Sequence, residues 1–367
     1  MWLLELEVDR LRNLKAVSLG LSSKMTALVG RNGQGKTSLL EAVYLLSTGR
    51  SFQTRRNEDL IHWDGGPLRI SGTVEGRLGK QKLGLVMDNG ERKLLLNQAP
   101  VELDQFLGRL DVIDLTAERM KVLRGEPRHR RRFLDRGLVG IDPGFLHTLG
   151  EYRRTLQHRN ALLKRPRSDL DGQLDAWDER LATSAAPLHA KRREYATRLG
   201  ALLGSVSRTI FNDKADLVLR YRPSPGPAGD LEPVEFKRVF LEALVRNREH
   251  DKTVGYTGQG PHRDDLVIEL DGVDLRRFGS AGQVRGAMIA LKFGKLNLLQ
   301  QARGEPPLLL LDDFDSDLDE CRATAVAGFL NDGGFQALVA TSKEAMTDRL
   351  GVDFAKIRIH GGRAEID

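Results

Sequence analysis

Gly30-Arg31-Asn32-Gly33-Gln34-Gly35-Lys36-Thr37, entered from the apolar run Met25–Val29, is the stretch that decides the fold. Its spacing, G-x-x-x-x-G-K-[ST] between a short buried-type strand and a helical pattern, is that of a P-loop. The glycines let the backbone curl until successive N–H groups face a phosphate. The helix that follows presents its positive N-terminal end to the same place. Lys36 is expected to reach the β- and γ-phosphates, and Thr37 to offer its hydroxyl oxygen to Mg2+. A helix from Gly35 to about Leu46, with Leu39, Leu40, Val43 and Leu46 on one side, completes the strand–loop–helix unit. A glycine-rich turn before an amphipathic helix shares the composition but not this flanking context.

Such a loop needs a carboxylate from the end of a neighbouring strand. Leu308-Leu309-Leu310-Leu311-Asp312-Asp313 supplies one: four apolar residues bury the strand and two acids emerge at its tip. Asp312 is expected to hold the Mg2+ shell, and Asp313 to orient or deprotonate the attacking water. Taken alone, the same run reads equally well as a strand entering a turn. No guanine-reading N/T-K-x-D motif is present. Thr341-Ser342-Lys343-Glu344 comes nearest but has an extra residue and ends in Glu, so ATP is the expected nucleotide.

A further anion site stands at Ser280-Ala281-Gly282-Gln283, ahead of a helical run to about Leu299. A serine and a flexible glycine at a helix start can bind an anion, or simply cap the helix. With one P-loop in the chain, a further anion site either takes another ligand or completes the nucleotide site of a partner copy. The second alternative would make an ATP-dependent homodimer the expected assembly.

The chain has 367 residues, a formal charge of +6 and a pI near 9.4. The positive charge is local. From Arg119 to Arg167 there are 14 Lys and Arg against four Asp and Glu, a net of +10, so the rest carries −4. A defined polyanion surface is expected there, with Arg128, Arg130, Arg131, Arg132, Arg153 and Arg154 as candidates for DNA contact. Pairing with acids from elsewhere is the competing account of these arginines. One of Arg130–Arg132 packing inward is at least as plausible as all three facing DNA. No apolar run approaches the ~18–20 residues that span a bilayer. A single cysteine, Cys321, fits a reducing cytoplasm, and no membrane partner is expected.

Three zones follow along the chain. Residues 1–114 read mostly as strands around the P-loop. Residues 115–250 read mostly as packed helices without sustained heptads, interrupted at Pro166–Asp171 and Pro223–Gly229. Residues 251–367 return to alternating strand and helix. The expected fold is α/β, with a helical basic lobe inserted between the two parts of an ATPase lobe.

Ser280–Gln283, the acidic strand and Ser316-Asp317-Leu318-Asp319, in that order, resemble the ABC-type ATPases. The resemblance implies that Ser280, Gly282 and Gln283 cap the γ-phosphate held by the other copy, and that Ser316–Asp319 touches the symmetry mate. It also places Arg12 beside the nucleotide; an ordinary surface arginine is the alternative. The helical, basic insert is too long for a transporter ATPase and lacks the heptads of SMC proteins. More closely, the chain resembles the RecF family over nearly its whole length. The resemblance is carried by Arg12-Asn13, Ser51-Phe52-Gln53-Thr54, Gly125-Glu126-Pro127, Arg131-Arg132-Phe133-Leu134-Asp135, Arg159-Asn160-Ala161-Leu162-Leu163 and Gly260-Pro261-His262-Arg263-Asp264-Asp265. It implies ATP-dependent binding of double-stranded and gapped DNA, slow ATP hydrolysis, and work with RecR and RecO in loading RecA at gaps and stalled forks. Some positions depart from the wider pattern. Asp313 stands where ABC ATPases use Glu, Thr116 or Glu118 where a Gln is usual, and Thr341-Ser342 where a His often senses the γ-phosphate. Phe52 occupies a position where a polar residue is expected, and nothing in the sequence accounts for it. The competing functions are the ATPase subunit of another ABC machine, such as a transporter, and a DNA-binding module that uses ATP without turnover.

Overall fold

The computed structural model describes the chain apart from residues 22–23, 55, 116–120, 165–169, 212–214, 227–230, 313–319, 343–353 and 367, and the side chains of 320–323 and 366. Asp313, Ser316–Asp319, Thr116 and Glu118 therefore lie outside the described residues, as does part of the Pro166–Asp171 break. The described residues divide into two compact units. The first comprises 1–120, 205–215 and 285–367, and the second 121–204 with 216–284.

In the first unit, β3 (Met25–Val29) leads into the glycine-rich loop, and all of its residues are buried. Continuous burial is the mark of a strand covered on both faces of a largely parallel sheet. Parallel neighbours flank it: β13 (Ala337–Thr341) on one side and β14 (Ala355–His360) on the other. Beyond β13 run β12 (Leu308–Asp312) and then β8 (Val112–Leu115), also parallel, while β15 (Arg363–Ile366) closes the far edge antiparallel to β14. Register decides what meets at the strand ends. Thr341 is opposite Val29 and Asp312 is opposite Ala340, so β3, β13 and β12 end at one edge of the sheet.

A separate antiparallel sheet has the order β2 (Leu14–Gly20), β1 (Trp2–Leu11), β4 (Leu68–Gly76), β5 (Gly79–Asp88), β6 (Glu91–Leu96) and β7 (Ala99–Val101). One hydrophobic core joins Leu3 and Leu6 of β1, Ile70 of β4 and Leu85 of β5 to Leu308 and Leu310 of β12 through the helix Lys36–Thr48. The expected one-sided apolar face of that helix is in fact nearly all-round burial: Leu39, Leu40, Val43, Leu45 and Leu46 are each at most 1% exposed. A helix that is apolar on all sides belongs inside a protein. Each of those leucines contributes about 1.5–3 kcal/mol when buried, so the segment behind the phosphate loop is among the most firmly held parts of this unit.

The second unit packs the helices Pro127–Ile141, Phe145–Leu163 and Pro233–Arg246 with a three-stranded sheet in the order β11 (Val273–Asp274), β10 (Asp265–Leu270), β9 (Leu217–Arg222). β10 pairs antiparallel with β9, Leu266 opposite Tyr221. This pairing draws residues 251–284 to the helical unit, whereas the sequence zones grouped them with the ATPase lobe.

Two buried ion-pair clusters organise this unit. Arg159 is 0% exposed, and its guanidinium reaches Asp178 (2.5 Å), Asp251 (2.8 Å) and the Thr257 hydroxyl (2.8 Å). Arg192 bridges Asp135 and Asp264, each within 2.9 Å. His262 is held between the Tyr152 hydroxyl and the Thr257 carbonyl, and burial pushes its pKa down to about 4, leaving it neutral. The blocks around Asp135, Arg159 and His262–Asp265 thus form the interior framework of the unit. A buried charge left without its partner is strongly destabilising.

Candidate nucleotide site

Gly30 takes over directly from β3. A Cβ there would lie 2.3 Å from the Ile359 carbonyl oxygen, so no other residue fits. Gly33 (φ +79°) and Gly35 (φ +115°) occupy the left-handed region that favours glycine. The helix starts at Lys36 with no side-chain cap and no acid in its first turn. Its first N–H groups therefore face the loop without a protein side chain to accept from them, an arrangement suited to an anion. The Lys36 ammonium donates to the Gly30 carbonyl (2.7 Å) and the Arg31 carbonyl (3.0 Å), which latches the loop into its curl.

Neighbouring segments brace the loop. Asn13 donates from its amide to the Gly33 carbonyl (3.0 Å) and accepts from the Ser38 hydroxyl (3.0 Å). Gln34 accepts Gly361 N–H with its side-chain oxygen (2.7 Å) and Gly362 N–H with its carbonyl (3.2 Å). The Gln34 side chain is thus committed to the turn between β14 and β15.

The Thr37 hydroxyl donates to Asp312 Oδ1 at 3.1 Å, across 275 positions of sequence. These are the two residues the sequence singled out for Mg2+. As hard oxygen donors they suit that ion, which takes one or two protein oxygens and completes its shell with phosphates and water. Among the described residues no group of three or more His, Cys, Asp or Glu is placed to hold a metal without such help.

Arg12 does lie at this site. It lines a cleft of about 410 Å³ with Asn13, Asn32, Gly33, Gly35, Lys36, Thr37, Ser38, Asp59, Ile61 and Trp63. Sequence reasoning missed what holds it there. Glu41 is 0% exposed and takes both Arg12 Nε (2.5 Å) and Nη2 (3.2 Å) in a fork; the Ser51 hydroxyl also donates to Glu41. The signal was a carboxylate set between Leu40 and Ala42 in an otherwise apolar helix. Asp59, Ile61 and Trp63 gave no comparable signal. If the Arg12–Glu41 fork positions Arg12, the two residues are energetically coupled. In a double-mutant cycle of Arg12→Ala and Glu41→Ala read by ATP affinity, the double variant should lose less than the sum of the single losses. Contacting pairs couple by about 0.5–3 kcal/mol. Fully additive losses would show that the fork does not position Arg12.

The helix-tip segment has a defined local structure. Gln283 N–H donates to the Ser280 hydroxyl oxygen (3.2 Å), and Ser280 N–H donates to Gln283 Oε1 (2.8 Å). This reciprocal pair is a capping box. Ser280 therefore caps the helix that follows it. The hydroxyl accepts one bond in the cap and keeps its own proton to donate. Ser280, Ala281 and Gln283 are exposed, and Gly282 is half-buried.

The arginines divide. Arg130 is buried and forms a fork with Asp265 (2.6 and 3.0 Å) while donating to the Gly125 carbonyl (2.8 Å). It belongs to the interior of the second unit, and its place among the DNA candidates is corrected on that ground. Arg131 is half-buried and donates to the Asp264 carbonyl (2.7 Å). Arg128, Arg132, Arg153 and Arg154 are exposed; Arg128 pairs with Glu126 (3.1 Å), and Arg153 lies 3.7 Å from Asp135.

Residues 2–362 match the family model described as the RecF/RecN/SMC N terminal domain. The chain is 34% identical over 334 residues to the DNA replication and repair protein RecF of Geotalea uraniireducens, covering 90% of each chain. It is 35% identical over 369 residues to RecF of Cyanothece sp., covering 99% of this chain and 97% of that one. Among solved structures, it is similar to the recombination mediator protein RecF-ATP of the RecFOR pathway, with a TM-score of 0.91, 29% identity and coverage of 100% and 97%. The SMC head domain of Pyrococcus furiosus shares the fold at 15% identity and a TM-score of 0.60. With a phosphate loop, an acidic strand tip and a capped serine helix all in place along a chain matched from end to end, this protein belongs to the RecF family of DNA replication and repair proteins.

Proposed function

We propose that the chain is an ATP-driven DNA clamp of recombinational repair. It binds ATP at Gly30–Thr37, pairs with a second copy through Ser280–Gln283, and holds DNA while paired. The observation that carries this reading is the Thr37–Asp312 hydrogen bond at the mouth of the glycine loop. It joins the two oxygen donors that would hold Mg2+ at the phosphates. The ion, when bound there, offsets the charge of the β- and γ-phosphates.

Lys36 and the uncapped helix start grip the triphosphate. Ser280 has a hydroxyl proton still to give, on an exposed helix tip, and would donate it to the γ-phosphate of the other copy. Asp313, the next residue after Asp312, is assigned to orienting water. Its side chain is one methylene shorter than the glutamate common in ABC ATPases, which fits slow turnover. Hydrolysis then removes the γ-phosphate that joins the copies, and the clamp opens.

The similarity to a recombination mediator of the RecFOR pathway supports RecR and RecO as partners, and family membership supports RecA loading at gaps and stalled forks as the task. Among the described residues no helix is long and apolar enough to cross a membrane. The cytoplasm is the proposed location.

For DNA, the exposed Arg128, Arg132, Arg153 and Arg154 are the proposed contacts. Phosphate contacts dominate such binding, so log K falls with log salt with a slope of about −0.9 per phosphate neutralised. The test is binding of a fluorescent duplex at several salt concentrations, with ATP and with ADP. Binding should be tighter with ATP, and Arg153→Glu/Arg154→Glu should lower affinity and flatten the salt slope while leaving ATP affinity unchanged. Equal binding with ATP and ADP, or an unchanged slope, would contradict the proposed DNA mode. Phosphate release stimulated by duplex distinguishes an ATPase from a module that uses ATP without turnover.

A further inference from the structure

Two residues before Ser280 stands a large ring that packing does not need. Phe278 is 72% exposed and ends the short helix Leu275–Phe278. Its backbone is held from several directions. Asp274 caps the short helix by accepting Arg276 N–H (2.8 Å), and Leu275 is buried. Gly279 N–H donates to the Leu275 carbonyl (3.3 Å), and the Gly279 carbonyl accepts from the Arg124 guanidinium (2.8 Å). A Cβ on Gly279 would lie 2.7 Å from the Leu275 carbonyl oxygen and 3.0 Å from Val284 Cγ2, so the short helix packs closely on the start of the long one. The capping box of Ser280 and Gln283 follows at once. The ring is thus displayed on a fixed support beside the helix tip. Arg276 and Arg277 precede it; both are exposed, and among the described residues neither guanidinium meets an acid.

A fixed aromatic ring beside two unpaired arginines has the composition of an interface anchor, because aromatic residues and Arg are enriched where proteins meet. Its place in the chain says what covers it. Two residues span at most about 7 Å, so a molecule that brings a phosphate to the Ser280 hydroxyl also brings its surface to Phe278. In the proposed function that molecule is a second copy carrying ATP, and the triphosphate on its loop supplies negative charge to suit Arg276 and Arg277. We propose that Phe278 is the apolar anchor of the ATP-dependent pair, seated on the partner copy beside its phosphate loop, with Arg276 and Arg277 at the rim of the contact. The proposal rests on the shared-site reading and adds to it a contact that joins the copies without passing through the nucleotide. The two residues divide the work: Ser280 senses the γ-phosphate, and Phe278 supplies strength by leaving water. A two-fold pair covers two such rings.

The test is sedimentation velocity of the full chain over a concentration series with ATP and Mg2+. ATP affinity is read separately by titration at concentrations too low for pairing. Phe278→Ala should raise the dissociation constant of the pair at least about 25-fold, about 5-fold for each of two rings. Phe278→Glu should stay monomeric where the wild type is fully paired, and Phe278→Leu should restore most of the pairing. As monomers, all three should bind ATP as the wild type does. Weaker ATP binding by the Phe278→Ala monomer would give the ring a role inside its own chain and overturn the proposal. Normal pairing of Phe278→Ala with weaker duplex binding would assign the ring to DNA and overturn it too. Normal pairing of Phe278→Ala alongside lost pairing of Ser280→Arg would overturn the anchor and leave the shared site standing. A wild-type chain that stays monomeric with ATP would overturn both.

Discussion

Ser280→Arg should bind ATP with wild-type affinity and stay monomeric when ATP is added. The residue lies outside the compact unit that contains the glycine loop, and it lines no part of the cleft around Lys36. Its position on an exposed helix tip costs the protein little when changed. The capping box with Gln283 is lost, worth about 0.5–2 kcal/mol for a serine cap. The effect on pairing should be far larger. The hydroxyl donor disappears, and a long guanidinium takes the place where the γ-phosphate on the partner's loop must dock, a conflict that arises only where that loop holds ATP. Ser280→Ala is the milder control: it removes the donor without the bulk and should weaken ATP-dependent pairing without abolishing it. Sedimentation velocity with and without ATP reads both. ATP-induced dimers of Ser280→Arg at wild-type concentrations would contradict the role given to the helix tip.

Lys36→Ala should fail one step earlier. The ammonium latches the loop through the Gly30 and Arg31 carbonyls, and in the proposed function it also grips the phosphates. A hydrogen bond to a charged group contributes about 1.5–3 kcal/mol. Losing bonds to more than one phosphate oxygen, together with the latch, should lower ATP affinity by about 100-fold or more. Fold should survive, because Leu39, Leu40 and Val43 hold the helix in the core. Titration calorimetry should show the loss, and no dimer should form at ATP concentrations that saturate the wild type. Near-normal ATP affinity in this variant would place the phosphates elsewhere.

Much of this was legible in the sequence because the chemistry is strict over short distances. Gly30, Gly33 and Gly35 are demanded by a clash or a positive φ that can be read as a spacing of glycines. Leu308–Leu311 announces a buried parallel strand, and the strand register then brings Asp312 to Thr37. Ser280 and Gln283, three residues apart, are recognisable as a cap before any coordinates. What stayed hidden depends on long-range placement. Glu41 looks like a stray acid until the chain brings Arg12 onto it. Trp63 follows a histidine in a stretch without periodicity, and only the backbone hydrogen bonds that tie Leu60 and His62 to the end of β1 carry it to the cleft. Arg130, Arg131 and Arg132 are consecutive on one helix. Helical geometry turns Arg130 inward to Asp265 and leaves Arg132 exposed, a division that the charge count cannot show.

The central claim is that each triphosphate is held by the loop of one copy and the serine of the other. Mixing Lys36→Ala with Ser280→Arg tests it most directly. In a mixed pair, the intact loop of the Ser280→Arg copy faces the intact serine of the Lys36→Ala copy, which leaves one complete site. Sedimentation with ATP should therefore show dimers in the mixture and monomers for each variant alone. A mixture that stays monomeric well above the wild-type dissociation constant, or a Ser280→Arg sample that dimerises without help, would contradict the shared site.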